Sequence, residues 1–374
     1  MPWTGAPLAA KLRFLPLLLT FPVLVACASI ASPDGWVSPK VDGDTVYVSL
    51  DDGEISALEL ESLDEIWTFP ADDETRCPGS DNGLDLEGIY GAPAIGDSTV
   101  YIGAYDGTVY AMSRDEGECL WTFDTDDPVI AGPVLDGDRL IAGSTDGNLY
   151  VLDAESGDEL DRLDTGSVGS TPLLTEDGQL YVATEDGRLW NLAADSLDSE
   201  WDAPFEVNAG LLTPPVLTAE ETVVVGGIGA TLYGVDTALG DERWAFEAKN
   251  WFWGEPAVTD AGGSEIIVAT NLDGRIYGVD AGTGEEVWPS IDTREPIRGG
   301  VAVDESGTAV VANNEGLVFL IDAATGEVVE EVDLKEGVYA SPIIHEGNAI
   351  IVSRSHDIFR VDLETGRVVT GSVE

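Results

Sequence analysis

Gly278-Val-Asp-Ala-Gly-Thr-Gly-Glu-Glu-Val-Trp288, GVDAGTGEEVW in one-letter code, runs from the end of an alternating apolar stretch through a turn to a large aromatic residue. An aspartate bonds the backbone of such a turn, a glycine tolerates its positive φ, and a flat indole fills a seam between packed layers. Gly234 to Trp244, GVDTALGDERW, repeats the pattern closely. Ala57 to Trp67, Ala111 to Trp121 and Asn191 to Trp201 keep the tryptophan with a weaker turn. Three further copies keep the turn (Asp153 to Gly157, Asp322 to Gly326, Asp362 to Gly366) and put Asp161, Glu330 and Thr370 where the tryptophan is expected.

Upstream of each copy the same signals recur in the same order. A small residue and usually a proline comes first: Pro39, Pro93, Pro133, Pro172, Pro215, Pro256, Val301 and Pro342. An alternating apolar run follows, such as TVYVSL, TVYIGA or EIIVAT, then a two-residue turn, Asp-Gly at 52-53, 106-107, 146-147, 186-187 and 273-274, and another strand-like run. The markers are spaced by 54, 40, 39, 43, 41, 45 and 41 residues, the first interval lengthened by an insertion at about 72–90. Eight units of four short strands predict an all-β chain, an eight-bladed β-propeller of four-stranded antiparallel blades over 36–374. The last unit carries its own fourth strand in GRVVTGSVE, so blades one and eight are expected to meet edge to edge without exchanging a strand.

The AxDxxTGxxxW pattern is the docking motif of the PQQ-like repeat, and on these residues the chain resembles the PQQ-like propeller family along nearly its whole length. That resemblance implies structural roles for Trp67, Trp121, Trp201, Trp244 and Trp288. It does not imply the quinone. Quinoprotein alcohol dehydrogenases of this type carry adjacent cysteines beneath the cofactor and a Glu/Asn/Asp set around calcium, and neither can be placed here, so no cofactor is expected and PQQ is disfavoured. His345 and His356 fall at opposite ends of one strand and form no metal pair, and the Asp-Gly pairs read as hairpin turns rather than calcium ligands.

Composition narrows the partners. Seventy-one acidic against 17 basic residues give a formal charge of -54, which repels phosphates and excludes nucleic acid. With 44% hydrophobic residues and acids spread along the chain, this is a folded protein with an acidic skin. The even acidic excess with few lysines resembles proteins of salt-loving archaea, where salt screens the repulsion. Residues 1–27 read as a signal peptide: Lys11 and Arg13 precede an apolar run that ends in Leu24-Val25-Ala26-Cys27. That ending is similar to a lipobox and makes Cys27 the lipid-bearing residue, followed by a short linker at 28–35; plain secretion is the alternative. Cys77 and Cys119 remain as a candidate disulfide outside the cytoplasm, although spacing alone does not show that the two side chains meet.

With lipobox, length and repeat together, the chain is similar to the BamB lipoproteins, which implies a non-catalytic, monomeric ring that holds extracytoplasmic protein or peptide partners at the membrane surface. The loop before each innermost strand opens at the mouth of the central channel. Three residues before the marker, Trp36, Tyr90, Trp253, Arg298 and Tyr339 should form an aromatic and cationic arc there, extended by Trp251 and Phe252, while Ile130, Gly169 and Leu212 form the plainer side. The competing reading is that these rings only pack against neighbouring blades. An enzyme or sensor using the channel for PQQ or another small ligand is the alternative function.

Overall fold

The computed structural model describes residues 38–371 apart from 52, 72–74, 79–83, 85 and 261–262. The leader, Cys27 and Trp36 lie outside the described residues. Among the described residues, thirty-two strands form eight four-stranded antiparallel sheets, each from four consecutive strands. Blade one is β1 Lys40–Asp42, β2 Thr45–Asp51, β3 Glu54–Glu59 and β4 Glu65–Phe69, and blade eight is β29 Ile343–His345, β30 Asn348–Val352, β31 Ile358–Asp362 and β32 Val368–Gly371. The two therefore meet with no exchanged strand among the described residues.

In all eight blades the inner strand begins one residue after the marker, from Lys40 after Pro39 to Ile343 after Pro342. Proline lacks a backbone donor, so it is tolerated at the start of a strand whose edge faces the channel. The third strand of blade six, β23 Arg275–Asp280, is buried on both faces, because each face of a blade packs against a neighbour. The outer strand β24 Glu286–Asp292 is mostly exposed and buries Trp288.

The seams show why the docking residues are what they are. Trp288 Nε1–H donates to the carbonyl of Ala323 in blade seven at 2.9 Å. Its ring lies between Gly278 of its own blade and Gly326 of the next, where an added Cβ would come within 2.1 and 2.5 Å of the indole. Trp67, Trp121, Trp201 and Trp244 donate to the equivalent carbonyls of Arg114, Ala154, Thr237 and Ala281 at 2.7, 3.1, 2.7 and 2.9 Å. All five indoles are at most 6% exposed, and a buried indole N–H with a partner avoids a desolvation penalty.

The three seams without tryptophan solve the problem differently. Between blades three and four, Arg139 reaches across to the Ala194 carbonyl and supplies the missing donor. Between seven and eight, the Glu330 side chain lies over Gly366. Blade eight departs from the sequence reading: β32 lacks the bulge that six of the other seven outer strands carry, so Arg360 faces Val369 and Thr370 faces Phe359. In blade six the equivalent pair is Gly278 with Trp288. A slip of one residue reverses every side chain of a strand, so Val369, not Thr370, stands in the tryptophan position.

The insertion between blades one and two is held by a Cys77–Cys119 disulfide, with Cα atoms 5.1 Å apart. Ile89 is fully buried in the same seam, and Leu84 and Leu86 pack against it. The insertion thus has apolar anchors that its polar sequence concealed.

Candidate functional site

The loops that enter the inner strands converge on one end of the ring and enclose a mouth of about 360 Å³. Small residues sit at its throat because neighbouring backbones nearly touch there. A Cβ on Gly254 would fall 2.3 Å from the Gly299 carbonyl oxygen, and one on Gly91 would fall 2.0 Å from the Gly132 nitrogen. Hydroxyls tie successive loops together: Gly132 N–H donates to Thr171 Oγ1 at 3.0 Å, and Gly300 N–H to Ser341 Oγ at 2.7 Å. Ser341 N–H donates in turn to Ser38 Oγ at 3.2 Å, which carries the network across the closure from blade eight to blade one.

Above the throat stand Tyr90, Trp253, Arg298 and Tyr339, each of which lines the mouth, as do Ile130, Gly169 and Leu212 on the plainer side. Trp253 is 38% exposed, unusually open for so large an apolar ring. Arg298 lies over the face of Tyr339 at 4.4 Å from the ring centroid, and Arg354 lies over the same ring at 4.6 Å. Such stacking suits guanidinium groups, which are weakly hydrated and planar. Tyr90 meets Tyr105 with ring centroids 5.9 Å apart.

Two expected members fall outside the arc. Phe252 is 1% exposed and packs against Tyr277 at 6.0 Å in the seam between blades five and six, so it belongs to the core. Trp251 is 42% exposed but is not part of the mouth's lining. In Asn250-Trp-Phe-Trp-Gly-Glu-Pro256, alternate side chains part company: Phe252 turns into the seam while Trp253 stays at the mouth. Conversely, Tyr105 lines the mouth and Arg354 stacks on Tyr339 of its lining, although both sit in the middle hairpins. Each lies one residue before the hairpin turn, and aligning that offset across the units would have found both.

Glu255, in the same stretch as Trp253, is the one carboxylate among the described residues lining the mouth. Its side chain is exposed at the mouth, although the crowded loops around it desolvate it in part. This partial desolvation raises its carboxyl above the ordinary glutamate range, against the opposing pull of Lys40. A single carboxylate does not make a calcium cage, so the mouth does not fit a quinone held over calcium. Ser170 Oγ, in a residue 5% exposed at the same mouth, has no hydrogen-bond partner among the described residues.

The Asp-Gly turns are occupied structurally. Asp106 accepts from Thr108 N–H at 2.9 Å and from the Tyr110 hydroxyl at 2.5 Å. Asp146 accepts from Asn148 N–H at 2.8 Å and from the Tyr150 hydroxyl at 2.7 Å. Burial and then the bond to Asp146 push Tyr150 up to about 12. Among the described residues no group of three His, Cys, Asp or Glu side chains is placed to hold a metal.

A family model described as outer membrane protein assembly factor BamB matches residues 105–245 and 272–369, more than half of the chain. No curated protein sequence matches. Among solved structures, BamB from Moraxella catarrhalis is similar with a TM-score of 0.67 at 17% identity, over 89% of this chain and 92% of that one. The computationally designed Ika8 protein is similar at 0.68 and 16%, over 91% of this chain and 100% of that one. Quinohemoprotein alcohol dehydrogenase from Comamonas testosteroni is similar at 0.67 and 15%, over 87% of this chain and 70% of that one. At these identities the structures share the fold alone.

Proposed function

The chain belongs to the family of the outer membrane protein assembly factor BamB, and from that premise we propose that it is a non-catalytic, extracytoplasmic binding scaffold. It holds a protein or peptide partner at the channel mouth and is tethered to the membrane through Cys27. One observation carries this reading: Trp253, Tyr90, Tyr105 and the Arg298–Tyr339–Arg354 stack gather on one arc. Tryptophan, tyrosine and arginine are the residue types that dominate binding hot spots. In a strongly acidic molecule, the stacked guanidinium groups suit a carboxylate on the partner.

A photo-crosslinking residue placed at position 253 tests this on membranes of the source cells. It should give a discrete adduct that Arg298→Ala diminishes, whereas the same group at the exposed Leu239 should not. Equal labelling at both positions would overturn the reading. Glu255 at the mouth and Ser170, whose hydroxyl has no partner among the described residues, favour one second reading, a small polar ligand in the throat. Glu255→Gln would weaken such a ligand and leave the protein adduct unchanged.

A further inference from the structure

At the opposite end of the ring, where the first and third hairpins of each blade turn, a cleft of about 750 Å³ opens between blades eight and one. Its cause is the closure seam. Val369 and Arg360 stand where five other seams place an indole, and no ring enters the core cluster there, which includes Val46, Val48, Leu58, Ile350, Val352 and Ile358. The volume is within the usual range of ligand pockets, about 300–1,000 Å³.

The two walls differ in where cations stand. Blade one contributes Asp44, Glu59 and Glu61 and no cation, whereas the two cations of the lining, Arg360 and Arg367, both come from blade eight. Blade eight also carries the carboxylates of Glu346 and Asp362; Asp362 accepts from the N–H and hydroxyl of Thr365 at 2.7 and 2.6 Å, as Glu59 of blade one accepts from the Ser62 hydroxyl at 2.6 Å. Six other arginines of the described chain (Arg114, Arg139, Arg162, Arg188, Arg243 and Arg275) have a carboxylate within 4 Å; Arg360 and Arg367 have none among the described residues. Arg367 acts on Asp362 within its own blade, but no ion pair crosses this seam among the described residues, so the guanidinium groups and the blade-one carboxylates face a common space without pairing.

We propose that this closure cleft binds a short zwitterionic peptide, with its ammonium group toward the blade-one carboxylates and its carboxylate toward Arg360 and Arg367. A ligand of one charge gains from the blade-one carboxylates or from the two guanidinium groups, whereas a dipolar ligand gains from both. Leu60, Ile350 and Val369 supply an apolar floor for its side chains.

Calorimetry with trialanine, its N-acetylated form and its C-terminal amide tests the proposal. Free trialanine should bind, and either blocked form should bind about tenfold more weakly. In an Arg360→Gln/Arg367→Gln variant the free acid and the amide should become equivalent, while acetylation should still weaken binding. Val369→Trp should fill the cleft and abolish binding without lowering the melting temperature; if that variant does not fold, the arginine variant decides. Equal binding by all three peptides, or no binding by free trialanine at 10-fold molar excess and millimolar concentration, would overturn the proposal.

Discussion

The seam between blades six and seven and the seam between eight and one join the same kinds of strand, yet one is filled and the other open. In the first, Trp288 is sandwiched between two glycines and bonds across to Ala323. In the second, an arginine replaces the small residue, an unbulged strand brings up a valine, and a charged cleft remains. The difference shows that an indole needs open space beneath it: where an arginine fills that place and no bulge shifts the outer strand, no ring docks. A bulge alone does not bring one, since the outer strands of blades three and seven keep theirs with Asp161 and Glu330 in place of tryptophan.

Breaking the filled seam should have the largest effect. Trp288→Ala removes a buried ring and orphans a carbonyl, and should cost about 3–5 kcal/mol, read as a lower denaturant midpoint. A loss below about 1 kcal/mol would mean that the indole merely covers a seam held by other contacts. The seam between blades one and two has both an indole and the Cys77–Cys119 bridge, which closes a sequence separation of 42. Replacing both cysteines by serine should cost about 2–4 kcal/mol, and reduction should have no effect on the double variant.

A smaller loss is expected where an arginine stands in for the indole. Arg139→Ala leaves the Ala194 carbonyl without its cross-seam donor, and should cost about 1–2 kcal/mol by the same midpoint measurement. An unchanged midpoint would show that water replaces the guanidinium at no cost.

The throat gives the smallest and most specific effect. Desolvation raises the folded-state pKa of Glu255, so its ionised form opposes folding. Glu255→Gln should therefore raise the melting temperature near neutral pH by about one or two degrees. That advantage is present above the raised folded value and fades as the pH falls below the ordinary glutamate range, where the wild-type group is protonated in both states. An advantage that persists in acid would assign the effect to packing instead.

The turns and strand starts were legible in sequence because each depends on residues close along the chain. Glycines 53, 107, 147, 187 and 274 all adopt positive φ at the expected hairpins, between 73° and 98°. Where glycine is missing the turn remains, with Ala230 at 58° and His356 at 62°. The mouth was legible in part: the offset before the marker found Tyr90, Trp253, Arg298 and Tyr339, but missed Tyr105 and Arg354 and wrongly included Phe252. Those outcomes depend on which loops share an end of the ring and on how the chain twists within one loop, and neither has a local signal.

Sequence by itself determined the blade count, the strand order, the inner-strand starts and the identity of the five docking tryptophans, since a repeated local conformation needs the same residue at the same offset each time. Only the tertiary structure decided the cysteine pairing, the register of β32, the partner that Arg139 takes in place of an indole and the raised carboxyl of Glu255. Each of these is set by atoms from another blade or another strand, and it is the closing of the ring that brings them within reach.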